Sequence, residues 1–142
     1  MCIVLLFPTL AGAATSLWWD TAYPQRFRVD VATGSLTPDK GYAGYTVRIP
    51  ALDTAALIAA GNMQPDCSDL RITYYDGLTW TELPRHVIGC DTGQTDIRFM
   101  LTMDIAASGL DDNYYLYHGN PAPGPVPPMN ETNVYLWYDD AS

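Results

Sequence analysis

The sequence predicts an all-β chain: an antiparallel β-sandwich, jelly-roll-like, with one short helix. Three observations predict it. Runs with an apolar residue at every second position recur through 25–33, 42–49, 70–74, 78–82 and 95–104, and a period of two gives a strand one buried and one wet face. Turn signals such as Gly34-Ser35, Asp76-Gly77, Asp91-Thr92-Gly93 and Ser108-Gly109 separate these runs, the pattern of a sandwich or barrel. Only one stretch, 53–60, carries helix chemistry.

The amino end, 1–14, is an apolar run closing in Ala11-Gly12-Ala13-Ala14, small residues of the kind a signal peptidase accepts. It is too short to span a bilayer, which needs about 20 apolar residues. No Lys or Arg precedes it, so the expectation is a truncated signal peptide, with a buried first strand as the alternative. Leu17 to Pro24, holding Trp18 and Trp19, is an irregular lead-in over one end of the core. In Gln25 to Thr33, Phe27, Val29 and Val31 share one face and Arg26, Arg28 and Asp30 the other. Residues 34–41 form a loop. Tyr42 to Ile49 is a strand that Pro50 ends.

Asp53 to Ala60 is the helix: Asp53 caps, four alanines favour the conformation, and Gly61 takes the left-handed exit. The stretch from Asp66 to Pro84 then organises the chain. Leu70, Ile72 and Tyr74 alternate with Arg71 and Thr73, Asp76-Gly77 suits a tight hairpin turn, and Leu78, Trp80 and Glu82 repeat the alternation. Adjacent Tyr74 and Tyr75 must point to opposite faces. Arg85 to Cys90, a turn at 91–94 and a strand from Thr95 to Asp104 follow. A polar turn at 108–113 leads into the strand Tyr114 to His118. Residues 122–132 form a proline-rich, semi-rigid linker. Residues 133–142 read as a strand with no partner left, the start of a following module, which leaves 15–121 as the sandwich proper.

The segments Met63-Gln64-Pro65-Asp66-Cys67-Ser68-Asp69-Leu70-Arg71-Ile72, Asp76-Gly77, Glu82-Leu83-Pro84 and Tyr115-Leu116-Tyr117-His118-Gly119-Asn120-Pro121 resemble, in that order, the domain family DUF2341. The family has a Trp-rich opening like Trp18-Trp19-Asp20, and its closing motif has a tyrosine where this chain has His118. The resemblance implies a secreted or surface β-domain, often beside a concanavalin-like lectin domain. The family has no established catalytic residues, so it implies none here.

Composition narrows the partners. A formal charge of -9, with Lys40 the single lysine, argues against nucleic acid and anionic membrane surfaces. Charged residues make up 16%, below the usual soluble average of about 25%. Cys67 and Cys90 remain as a pair once Cys2 leaves with a leader. In an oxidising compartment they can close a disulfide; two free buried thiols is the alternative, and no metal-site spacing is present.

Catalytic chemistry finds little support. No Gly-x-Ser-x-Gly occurs near His86 or His118. Asp66, Asp69 and Asp76 bracket a hairpin and read as turn residues, although two facing carboxylates would suit a glycan hydrolase. Asp111, Asp112 and Asn113 are candidate calcium ligands; no other cofactor is expected. The aromatics are the strongest lead, with Trp80, Tyr75, Tyr115 and Trp19 as a candidate glycan platform. The expectation is a non-catalytic module of a larger secreted or surface protein, for adhesion, assembly or display, partnered by neighbouring domains of its own polypeptide. The alternatives are a carbohydrate-binding module and a filament subunit joined by strand pairing.

Overall fold

A computed structural model of the chain describes residues 3–10, 17–35 and 41–135. The strands are β1 (Ile3–Leu10), β2 (Gln25–Ala32), β3 (Thr46–Leu52), β4 (Arg71–Tyr75), β5 (Trp80–Leu83), β6 (Arg85–Ile88), β7 (Thr95–Met100) and β8 (Leu110–His118). Helix α1 (Thr54–Ala59) follows β3, and the short α2 (Glu131–Val134) follows β8. One sheet has five strands in the order β1-β2-β8-β4-β5 and the other three in the order β3-β7-β6. Every pairing is antiparallel. The predicted all-β sandwich is the observed architecture.

The period-two faces assign the core. Val29, Val31, Ile72, Tyr74, Tyr114 and Leu116 of the larger sheet join Val47, Ile49, Ile97 and Phe99 of the smaller in one buried cluster. Helix α1 begins as expected, with the Asp53 carboxylate accepting the Ala56 amide at 2.9 Å. Cys67 and Cys90 are bonded. They tie the loop before β4, in the larger sheet, to the turn between β6 and β7, in the smaller.

The amino end forms a strand, and several later segments differ from expectation. Ile3–Leu10, read as leader with a buried strand as alternative, forms an edge strand paired with β2; the cleavage region 11–14 lies outside the described residues. Tyr42 sits in a turn, its carbonyl accepting the Tyr45 amide at 3.0 Å, and β3 starts four residues later. The proline-rich segment lies along the sandwich: Arg71 donates to the carbonyls of Gly124 and Pro125. Asn133 and Val134, expected to begin a strand, close α2 instead. Val134 is buried and its carbonyl accepts the Thr46 hydroxyl at 2.8 Å. A local apolar contact has outweighed β-propensity there. The rest of that expected strand, 136–140, lies outside the described residues.

Candidate ligand-binding face

Strand register builds the site on the outer face of the larger sheet. Arg28 stands between Phe7 on β1 and Tyr115 on β8, and Tyr115 faces Thr73 on β4, which faces Glu82 on β5. One step along, Arg26, Tyr117 and Arg71 form a second row. Tyr75 faces Trp80 across the hairpin. These positions alternate with the core positions of the same strands, so burying Val29, Ile72 and Leu116 forces the rings outward.

The rings make one network. Tyr75 and Trp80 lie 4.7 Å apart at 31°, and Trp80 and Tyr115 5.3 Å apart at 62°. Tyr117 lies 6.1 Å from Trp80 and 5.6 Å from Trp19. All four rings proposed from sequence therefore belong to one cluster, each partly buried, and Tyr117 joins them.

Sequence reasoning missed the arginine at its centre. The Arg26 guanidinium lies 4.3 Å from the Trp18 ring and 4.4 Å from the Tyr115 ring, a cation–π sandwich worth about 1–2 kcal/mol. It also donates to the Leu17 carbonyl at 2.7 Å and the Tyr117 hydroxyl at 2.8 Å. The same hydroxyl accepts the Trp19 amide at 3.0 Å. Burial, the largest influence, raises the Tyr117 pKa. Arg26 thus fastens the Trp18–Trp19 lead-in to the sheet. Its position on the wet face of β2 was the available signal; its aromatic neighbours come from the lead-in, Trp18, and from the distant β8, Tyr115 and Tyr117.

A polar layer continues from this face. Arg71, 2% exposed, donates to Glu82 at 2.6 Å. Arg85 is 8% exposed, and its Nε has no hydrogen-bond partner among the described residues. Burial, the largest influence, pushes the Arg85 pKa down to about 10.

The other candidates have structural occupations. Asp69, fully buried, accepts the amides of Gln64 at 2.9 Å and Gly119 at 2.7 Å. Asp66 accepts the Ser68 amide at 2.9 Å, and bonds from Ser68 lower its pKa. Asp76 accepts the amides of Leu78 and Thr79, and the amide of Thr79 above all holds its pKa down. Gly77 takes the turn's positive φ, 97°. His118 packs on Phe27 with ring centres 5.3 Å apart and bonds the Asn62 carbonyl at 2.7 Å. His86 Nδ1 meets the Tyr135 hydroxyl at 2.5 Å.

Of the calcium candidates, Asp111 and Asn113 meet each other. Asp111, Asp112 and Asn113 lie in β8 rather than in a loop. The β2–β8 register breaks there, between Val29 and Val31. Asp111 is buried and binds the amide and side chain of Asn113, while Asp112 is exposed. Among the described residues no group of three or more His, Cys, Asp or Glu is placed to hold a metal ion. An open groove of about 510 Å³ beside Leu83, Pro84, Met100 and Asn133 is lined by no titratable side chain.

The arrangement defines a class, a disulfide-tied β-sandwich with an aromatic and arginine-bearing outer face. Compared with known protein families, curated proteins and solved structures, the chain shows no match. Among the described residues no helix is long and apolar enough to cross a membrane.

Proposed function

We propose that this chain is a non-catalytic extracellular module of a larger protein, of the kind the DUF2341 resemblance implies, and that it contacts glycan through its aromatic face. One observation carries the reading: Trp19, Tyr75, Trp80 and Tyr115, far apart in sequence, form one partly exposed surface. A sugar ring presents C–H groups that pack on aromatic faces, and its hydroxyls suit donors at the rim. Arg28, its charge balanced by Asp30 at 2.7 Å, stands at that rim. Ring planes that turn by 31° and then 62° fit a curved sugar chain better than a flat one. The disulfide supports an oxidising compartment. Asp66, Asp69 and Asp76 are engaged by backbone amides, which supports a binding role over hydrolysis.

A second reading is adhesion to protein. Trp, Tyr and Arg dominate the energetic centres of protein interfaces, and Leu78, 89% exposed at the hairpin tip, adjoins the face. A broad glycan array, run with and without calcium on the oxidised chain, separates the two. The glycan reading predicts a hit that Trp80→Ala or Tyr75→Ala weakens about tenfold or more, a change of about 1.4 kcal/mol, with the circular dichroism spectrum unchanged. A blank array in both conditions would leave only the protein-adhesion reading.

A further inference from the structure

Among the described residues four strands stand at sheet edges, and three of them are poor templates for further pairing. β5 and β6 have four residues each, with Glu82 in one and Arg85 and His86 in the other. β3 carries Arg48 and Pro50, and its register breaks between Ile49 and Leu52. Shortness, charge, proline and irregularity are the devices that keep edges from pairing with other chains.

β1 has only one of these devices. It is eight residues long, without a charged side chain, and pairs with β2 in unbroken register from Ile3↔Ala32 to Leu10↔Gln25. Val4 and Leu6 pack against the core, while Leu5 and Phe7 are 51% and 42% exposed. Its single interruption is Pro8, which has no N–H to donate. Residues 3–7 are free of it.

We infer that β1 is a dimerisation edge, pairing antiparallel with β1 of a second copy of this chain about a two-fold axis at Leu5. That centre sets residues 3–7 against 7–3 and leaves Pro8 outside the ladder. An antiparallel edge is its own complement under a two-fold axis. A charged strand would meet like charges across that axis, and this one meets none. Leu5 lies against Leu5 of the other copy, removing two exposed leucines from water.

The geometry has two consequences. An edge used on itself closes at two copies, so it gives a dimer and not the filament considered from sequence. Because the axis is perpendicular to the sheet, both aromatic faces lie on one side of a continuous ten-stranded sheet. Two weak sites so placed would bind a repetitive chain with an avidity neither has alone. The pairing itself does not depend on the glycan reading. It concerns the chain that retains residues 3–10.

Sedimentation of the full chain, made in an oxidising cell-free reaction without membranes so that its amino end is kept, tests the inference. The expected result is an apparent mass that rises from 15.6 kDa to twice that as concentration increases to about 100 μM, a range suited to a small interface. Leu5→Lys places two ammonium groups against each other and holds the chain at monomer mass. Leu78→Lys, an equal change at an exposed site on the distant hairpin, leaves the dimer intact. A monomer at every concentration, a dimer indifferent to Leu5→Lys, or a mass that grows past two copies would each overturn it.

Discussion

Asp69 has both carboxylate oxygens taken by backbone amides, those of Gln64 and Gly119, and no water reaches it. It joins the loop before β4 to the residue that follows β8, fifty positions away in sequence. Asp69→Ala leaves two partly buried amides without their acceptor, so a loss of about 2–3 kcal/mol is expected in urea unfolding; a loss under 1 kcal/mol would show that the junction holds without it. Arg85 predicts the opposite sign. A buried guanidinium whose Nε has no acceptor is costly, so Arg85→Met is expected to be neutral or to stabilise by about 1–2 kcal/mol. Marked destabilisation would contradict that account. His118 supplies the pH dependence. Burial above all lowers its pKa from the ordinary 6.5, so the unfolded chain binds the proton better. Stability is then full above about pH 6.5, falls as the pH drops below it, and stops falling beneath the folded-state pKa. His118→Gln should flatten the stability curve between about pH 5 and 7 relative to wild type; an unchanged slope would place the titration elsewhere. Single residues were legible from sequence where their partners are local, as at Asp76. The destination of Asp69's second oxygen was not, because Gly119, just past β8, lies fifty residues away in sequence.

The β4–β5 hairpin was readable because its signals sit inside one short window: alternation, Asp76-Gly77, alternation. Helix α1 was readable for the same reason. The break in β8 was not, since a bulge depends on how β2 pairs with it, and so Asp111, Asp112 and Asn113 passed for a loop. Helix α2 was not readable either. Four residues carry little propensity, and its stability comes from burying Val134 and bonding Thr46. The disulfide belongs to this scale, since it joins the loop leading into β4 to the turn between β6 and β7. Its ends are 23 residues apart, and closing such a loop contributes about 3 kcal/mol in the chain-entropy model. Replacing Cys67 and Cys90 together with serine should lower the unfolding free energy by about that amount; no change would mean that core packing alone sets the relation of the two sheets.

At the scale of the molecule, alternation told which residues face outward but not which strands lie side by side. The order β1-β2-β8-β4-β5 sets the second strand of the chain against the last, and no local pattern encodes that pairing. This is why Trp19, Tyr75, Trp80 and Tyr115 could be named as a platform but not placed beside one another on it, and why Arg26 passed unnoticed between Trp18 and Tyr115. The measurement that tests the central claim most directly is a titration of ¹⁵N-labelled chain with the strongest glycan hit, following the indole N–H signals. The account predicts that the Trp18, Trp19 and Trp80 signals move together and saturate at one affinity, while amides around His86 and Arg98, on the smaller sheet, stay in place. Shifts confined to the smaller sheet, with the three indoles unmoved, would contradict it.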